Sequence, residues 1–208
     1  TVASLVVIVV FIGVRGAGQI DLAFLTTPPR GGLSGEGGIS TTIVTTLLLV
    51  GTTLFFAGPL GIGAAIYLAE YAAEHRAARG LGSFLVRIAR TGVETLAGVP
   101  SILFGLFGYA LFVAVLDFGF SILSGALAGA CLILPVIIRT TEEALYSVPR
   151  SYREASLALG ATKWQTTWNV VLPSALPGIL TGVVLSVGRI ISETAVFYVT
   201  LGGSHHMP

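Results

Sequence analysis

Hydrophobic residues in this chain form long uninterrupted runs instead of alternating with polar residues. The runs cover residues 39–68, 96–116, 122–138 and 176–191, and a shorter run covers 2–14. A helix needs about 20 apolar residues to cross the hydrocarbon core of a bilayer, and it satisfies its backbone polar groups within the segment. The pattern therefore predicts an all-α, polytopic transmembrane helix bundle of five spans, and the short first run predicts a partial first span.

The basic residues orient these spans. Two segments, after the second run and between the fourth and fifth runs, hold eight of the eleven: Arg76, Arg79, Arg87, Arg90, Arg139, Arg150, Arg153 and Lys163. Cytoplasmic loops of membrane proteins carry an excess of Lys and Arg, so both segments are predicted to be cytoplasmic. The fifth run then ends outside near Ser192, and we expect at least one further span, missing from these 208 residues.

Small residues recur at four-residue steps in the last two runs. Gly125 and Gly129 form one such series, and Gly178, Gly182 and Ser186 form another. Small side chains at this spacing let neighbouring helix backbones approach closely, as in a membrane bundle.

Composition excludes several classes of protein. The chain is 54% hydrophobic and 10% charged with a net charge of +1, which provides no clustered basic surface for nucleic acid. Cys131 is the only cysteine, so an internal disulfide and a multi-cysteine metal site are excluded. His205, His206 and Met207 lack a further placed ligand, and we expect no metal site.

The segment 152–173 interrupts the apolar runs with mixed polar and apolar residues. It predicts an amphipathic element outside the bilayer, in which Ser151 caps a short helix, Glu154 lies in its first turn and Gly160 ends it. A second helix is predicted over 164–172. Because its two tryptophans share one face, an interfacial helix anchored in the membrane is the structural alternative.

The spacing of this segment resembles the cytoplasmic motif of permease subunits of bacterial ATP-driven importers, which is Glu-Ala-Ala, three residues, Gly, nine residues and Ile-x-Leu-Pro. The matching positions are Glu154, Ala155, Ser156, Gly160, Val170, Leu172 and Pro173. The departures are Ser156 for Ala and Val170 for Ile. The resemblance implies one transmembrane permease domain over 1–208, in which 144–173 is a cytoplasmic coupling loop and its first helix docks on a nucleotide-binding subunit.

The sequence contains no phosphate-binding P-loop. Its only lysine, Lys163, lies between Thr162 and Trp164, outside any G-x-x-x-x-G-K-[ST] pattern. We therefore expect a transport subunit without enzymatic activity and without a cofactor of its own, and we expect ATP-Mg in a partner ATPase.

Three further strings resemble the phosphate-specific permeases of the PstA type: AEYA at 69–72, LAGVPSILFGLFG at 96–108 and RIISETA at 189–195. The resemblance implies the fold of a type I importer permease in a bacterial cytoplasmic membrane. It also implies five partners: a homologous permease subunit, a dimer of ATPase subunits, an extracytoplasmic phosphate-binding protein, phosphate itself and membrane lipid.

Arg189 and Glu193 are charged residues within or next to the fifth run. On a continuous helix they share one face, and Arg189 lies roughly 20 Å from the start of the run. Exposing an arginine to lipid there costs on the order of 3 kcal/mol, so we expect it to face the bundle interior or an aqueous path. A guanidinium suits a tetrahedral oxyanion, and with the family resemblance Arg189, Glu193 and Thr194 are the candidate substrate pathway.

The residues leave alternatives open. Arg189 and Glu193 could instead only neutralise each other, and Glu193 could either hold the guanidinium or accept a hydrogen bond from a protonated phosphate oxygen. Glu94 fits a gate or a membrane boundary. The alternative functions are the partner phosphate permease, a sulfate or molybdate permease, an integral-membrane enzyme acting on lipid phosphate groups, and a passive channel.

Overall fold

The computed structural model describes residues 2–18, 20–29, 37–72 and 81–202, and these residues hold no β-strand. The helices, in chain order, are α1 (Val2–Ala17), α2 (Leu22–Thr26), α3 (Ser40–Ile66), α4 (Leu81–Ala97), α5 (Ser101–Gly108), α6 (Ile122–Ser147), α7 (Arg150–Ala158), α8 (Lys163–Thr166), α9 (Leu172–Ser192) and α10 (Ala195–Leu201). The predicted all-α class is confirmed. Five residues used in the predictions lie outside the described ones: Arg76, Arg79, His205, His206 and Met207.

Three turns of π-helix extend these elements. Tyr67–Tyr71 continues α3, Tyr109–Val115 continues α5, and Thr167–Val171 joins α8 to α9. A π-helical turn holds one extra residue against the regular α-helical ladder and is frequent at functional sites. Thr167–Val171 lies within the predicted coupling loop 144–173, and Tyr67–Tyr71 directly precedes the other predicted cytoplasmic segment.

Three of the described helices are long and apolar enough to cross a membrane. By length and composition they are Ser40–Tyr71, Ile122–Ser147 and Lys163–Ser192, and a bent pair of helices makes a fourth if it counts as one span. α1 is apolar but only 16 residues long. The predicted multi-span bundle is confirmed.

The predicted span 96–116 is wrong as one continuous helix. The chain bends by 109° between Gly82–Ala97 and Ser101–Val115. Pro100 precedes α5 with φ −58° and ψ 136°, and a proline disfavours helical backbone in the residue before it. The break at Gly98–Pro100 therefore divides the apolar run into the end of α4 and the whole of α5.

The chain divides into two compact units, one ending at Leu48 and one beginning at Leu49. Within the second unit α6 is the central helix, and it packs against α4, α5, α9 and α10. Its buried residues surround it on all sides, as expected for a helix enclosed by others. Ile133 and Ile137 are almost completely buried in the main core cluster.

The predicted close helix contacts are confirmed between α6 and α9. A β-carbon at Gly178 would lie 2.6 Å from Cβ of Ala144, and one at Gly182 would overlap the side chain of Thr140. Ser186, the third member of the series, is buried. The small residues thus bring the backbones of the two longest helices of this unit together.

α5 and α10 run parallel to each other. A β-carbon at Gly105 would lie 3.0 Å from Cα of Val196, and one at Gly108 would lie 3.3 Å from the methyl group of Thr200. The contacting positions move in the same direction along both helices, from Gly105 and Val196 to Gly108 and Thr200, so the two helices are parallel. The chain breaks that precede α5 and α10 are therefore at the same end of this pair.

Candidate functional site

The predicted coupling helix is α7, Arg150–Ala158. Its first residue follows Pro149, which takes the capping position without a side-chain hydrogen bond. The predicted cap at Ser151 is wrong, because the cap lies two residues earlier and Ser151 is the second residue of the helix. Glu154 is accordingly the fifth helical residue and lies beyond the first turn.

Gly160 ends α7 as predicted. Its φ is +85°, a conformation that glycine adopts without the steric cost of a β-carbon. The amide of Gly160 donates to the carbonyl of Leu157 (3.0 Å) and that of Ala161 to the carbonyl of Ser156 (3.2 Å). This pair of bonds is a Schellman motif, which satisfies the last carbonyls of the helix and turns the chain sharply.

Most of α7 is exposed. Only Arg153 and Ser156 are half-buried, and the other seven residues of the helix, including Glu154 and Ala155 of the motif, are exposed. Leu159, just beyond the helix, has 89% of its surface exposed. The helix therefore presents polar and apolar groups on one open surface, as a docking element requires.

Arg153 fastens α7 to two other helices. Its Nη2 lies 2.6 Å from Oε1 of Glu70, in the π-helical turn after α3, and its Nε also donates to this carboxylate. Nη1 and Nη2 donate to the carbonyls of Val148 (2.8 Å) and Leu145 (2.9 Å) at the end of α6. One guanidinium thus joins the coupling helix to the ends of α3 and α6.

Ser156 makes the second polar contact of α7. Its hydroxyl lies 2.9 Å from the hydroxyl of Thr166 in α8. The family motif has alanine at this position, so this hydrogen bond depends on one of the two departures from the motif. It ties α7 to the segment that leads into α9.

The predicted second helix over 164–172 is instead the first part of a longer one. A capping box between Thr162 and Gln165 begins α8, which continues through the π-helical turn into α9. Leu172 and Pro173, the last residues of the motif, are half-buried and exposed, respectively, in the first turn of α9. The motif therefore ends inside a span.

Trp164 and Trp168 share one face of this helix, as predicted, with ring centroids 5.2 Å apart. They line an apolar groove of about 610 Å³ with Tyr67, Tyr71 and part of α3. Nζ of Lys163 lies 5.0 Å from the ring centroid of Tyr71. This arrangement suits the membrane interface, where aromatic and cationic side chains concentrate.

The candidate substrate residues lie at the other end of α9. Pro173 and Arg189 are 16 residues apart, or roughly 24 Å along the helix. Nε of Arg189 lies 3.7 Å from Oε2 of Glu193, and half of the Arg189 side chain is exposed against 9% for Glu193. Half of the arginine side chain is therefore open, and Glu193 contacts it from the buried side.

Glu193 is not part of α9, contrary to the predicted shared helical face. The helix ends at Ser192, and Glu193 has φ −81° and ψ 124°, an extended conformation. Thr194 follows at the start of α10, exposed and without a side-chain capping bond. The ion pair forms across a chain break, which lies at the same end of the α5–α10 pair as the break at Gly98–Pro100.

A second ion pair joins α4 to α6. Nη2 of Arg90 lies 3.1 Å from Oε1 of Glu142 and donates to the carbonyl of Leu68 (3.1 Å) and to the hydroxyl of Tyr146 (3.0 Å). Arg90 entered the sequence analysis only as an orienting charge, and Glu142 was not singled out. Glu142 follows the predicted apolar run 122–138, and its burial is visible only in the structure.

Glu94, the candidate gate residue, pairs with Arg139 at 3.2 Å, and about half or more of each side chain is exposed. An exposed ion pair of this kind contributes about 0–1 kcal/mol to stability. Neither the gate nor the boundary role is favoured by this geometry.

Residues 57–205 match the family model described as "Binding-protein-dependent transport system inner membrane component". "Probable ABC transporter permease protein YqgI" of Bacillus subtilis (strain 168) is 37% identical over 200 residues, which cover 96% of this chain and 65% of that protein. "Phosphate transport system permease protein PstA 1" of Mycobacterium tuberculosis (strain ATCC 25618 / H37Rv) is 43% identical over 169 residues, which cover 81% of this chain and 52% of that protein. The predicted resemblance to phosphate permeases is confirmed.

The chain thus spans about half to two thirds of the length of these relatives. In an inward-facing structure of the MetNI methionine ABC transporter, one chain superposes with a TM-score of 0.63 at 22% identity, covering 80% of this chain and 74% of that one. The likeness shows the fold of an importer permease, as the resemblance implied.

Proposed function

Because the chain belongs to the binding-protein-dependent transport system inner membrane component family, we propose that it is a permease subunit of an ATP-driven importer of inorganic phosphate. The observation that carries the proposal is α7, a short exposed helix that bears the importer motif and ends sharply at Gly160. A separate ATPase dimer with bound ATP-Mg docks on this helix and drives transport.

The proposed route for phosphate passes Arg189. Its guanidinium is the group in α9 best suited to a tetrahedral oxyanion, since two of its N–H groups can donate to one phosphate in parallel. Glu193 keeps the side chain oriented from its buried position. The exposed half of Arg189 cannot remain in contact with lipid at low cost, which favours a face that a second permease subunit or water covers.

The remaining partners follow from the same proposal. A homologous permease subunit completes the path, and an extracytoplasmic binding protein delivers phosphate to it. The names of the Mycobacterium and Yersinia pestis relatives, both phosphate transport system permeases, support phosphate as the cargo and the bacterial cytoplasmic membrane as the location.

Uptake of labelled phosphate into cells or proteoliposomes with the complete transporter tests the function. We expect uptake that requires ATP and an intact ATPase active site. Excess unlabelled phosphate should abolish it, and equal concentrations of sulfate or molybdate should not. Stronger competition by either of those oxyanions would reassign the cargo, and uptake without ATP would replace the proposal with a passive channel.

Co-purification of the full-length chain tests the partners. We expect an ATPase subunit and a second permease to be retained with it. A Glu154→Ala variant should retain less ATPase than the wild type, because Glu154 is exposed on the proposed docking helix. Isolation of the chain without any ATPase would contradict the proposal.

A further inference from the structure

The coupling helix α7 is attached to its own bundle mainly by polar contacts. No residue of α7 is buried, and its two half-buried residues, Arg153 and Ser156, each bond to a side chain of another helix. A helix held by an apolar face would stay attached after the loss of a single side-chain bond. Here the attachment depends on two side-chain contacts, Arg153–Glu70 and Ser156–Thr166, and on the bonds of Arg153 to two carbonyls at the end of α6.

Both side-chain contacts of α7 lie in or directly beside π-helical turns of the spans. Glu70 lies within the π-helical turn Tyr67–Tyr71, and Thr166 directly precedes the π-helical turn Thr167–Val171. A π-helical turn can give up its extra residue and return to α-helix, which rotates the helix beyond it. A displacement of α7 would therefore reach α3 and α9 at the points where each span can change its register.

The two contacts differ in strength. The guanidinium of Arg153 makes four bonds of 3.2 Å or less, two of them to the Glu70 carboxylate, and the side chains of both residues are at least 79% buried. The Ser156 contact is one bond between neutral hydroxyls. Because charge-assisted bonds are about twice as strong as neutral ones, the arginine contact dominates.

We propose that the Glu70–Arg153 ion pair, assisted by Ser156–Thr166, is the linkage that transmits movement of the coupling helix to α3 and α9. Arg153 and Glu70 are positioning residues: they keep α7 attached while its exposed face is pushed or pulled. This inference rests on the proposed function for what moves α7, whereas the attachment itself is a property of the chain alone.

Hydrogen exchange of the full chain in lipid nanodiscs tests the attachment without any transport. We expect Arg153→Gln and Glu70→Gln each to raise exchange of the amides of α7 by about tenfold or more. The double variant should add little to Arg153→Gln, which already removes the contact with Glu70 together with the bonds to the carbonyls of Val148 and Leu145. Arg153→Lys keeps the charge but loses the paired geometry, so an intermediate increase is expected.

Arg139→Gln is the control, because it removes an Arg–Glu pair of the same chemistry, 3.2 Å long, that does not involve α7. Exchange in α7 should be unchanged in this variant. Wild-type exchange in Glu70→Gln, or effects of Glu70→Gln and Arg153→Gln that simply add, would overturn the linkage.

A second measurement compares ATP hydrolysis with phosphate uptake in the complete transporter. Glu70→Gln should lower the phosphate transported per ATP about tenfold or more while most of the hydrolysis remains. A proportional loss of hydrolysis and uptake would show a merely structural role and overturn the inference. Failure of the wild type to transport phosphate would instead overturn the proposed function, and the exchange result would still decide the attachment.

Discussion

Gly182 of α9 faces Thr140 of α6 so closely that a β-carbon on the glycine would overlap the threonine side chain. Thr140 is held in place, because its hydroxyl donates to the carbonyl of Val136 at 2.9 Å within α6. In a bilayer the hydrophobic effect does not drive helices together, so such close backbone packing is a main source of stability. This contact therefore helps to fix α9, which carries Arg189 and the last two residues of the motif, Leu172 and Pro173.

Gly182→Ala should destabilise the chain, because the added methyl group forces α9 away from α6. Overpacking of this kind costs about 1–3 kcal/mol. Gly188→Ala is the matched control on the same helix, since a β-carbon there meets no atom within 4 Å. It should be neutral or stabilising by up to about 1 kcal/mol through helix propensity. Thermal unfolding in detergent measures both, and equal shifts in Tm would contradict the packing argument.

Substitutions of Arg90 and Glu142 should have strongly non-additive effects on the free energy of unfolding. Glu142→Leu leaves Arg90, of whose side chain 27% is exposed, with the carbonyl of Leu68 and the hydroxyl of Tyr146 as its neutral acceptors. The free energy of unfolding should fall by about 3 kcal/mol, which is at the low end for a buried pair because part of Arg90 reaches solvent. The double variant, Arg90→Leu with Glu142→Leu, should lose less stability than the two single variants lose in sum, because it leaves neither charge unpaired.

Chemical unfolding of the three variants provides the comparison. The Arg139–Glu94 pair offers a control of the same chemistry with greater exposure. Glu94→Leu should change stability by less than about 1 kcal/mol. A loss as large as that of Glu142→Leu would show that burial does not separate the two pairs.

Hydrophobic runs predicted the spans because a bilayer imposes a minimum apolar length that can be read directly along the chain. The same runs could not predict the bend between α4 and α5, since the apolar residues continue through Gly98–Pro100 without interruption. Pro100 was a signal, but prolines also occur inside α6 and α9, where the helix continues through them. Packing with neighbouring helices decides between the two outcomes.

The ion pairs are a second feature that the sequence alone could not predict. Glu70 and Arg153 are 83 residues apart. In the sequence, Glu70 is part of a string shared with the family, and Arg153 is one of the basic residues that orient the spans. Their pairing depends on how α3, α6 and α7 meet. Arg189 and Glu193 were paired correctly for the wrong reason, because the four-residue spacing assumed a helix that ends at Ser192.

Gly160→Ala should perturb the end of α7, because a β-carbon at φ +85° is strained although the space around it is open. The cost is about 1–2 kcal/mol, and Gly160→Asn should cost less because asparagine tolerates this conformation. Hydrogen exchange over 155–161 should rise more for alanine than for asparagine. Gly119→Ala carries the same kind of strain at φ +64° and should leave this segment unchanged.

Arg189→Lys should weaken phosphate transport without unfolding the chain. A lysine at this position keeps the charge but loses the second parallel bond to an oxyanion, which is worth about 1.5–3 kcal/mol for a charged group. The apparent KM for phosphate should therefore rise by roughly tenfold or more, at 1.4 kcal/mol per factor of ten. Arg189→Gln removes the charge as well and should be worse.

Arg15→Lys is the control for this series, because Arg15 lies in α1, in the other compact unit, with its guanidinium 5.0 Å from the ring centroid of Phe11. Its uptake kinetics should match the wild type. A wild-type KM in Arg189→Lys would restrict the arginine to neutralising Glu193. Glu193→Gln then separates the roles of the carboxylate: if Glu193 holds the guanidinium, the loss of uptake in this variant should be smaller than in Arg189→Gln, since the amide oxygen can still accept a hydrogen bond from Arg189.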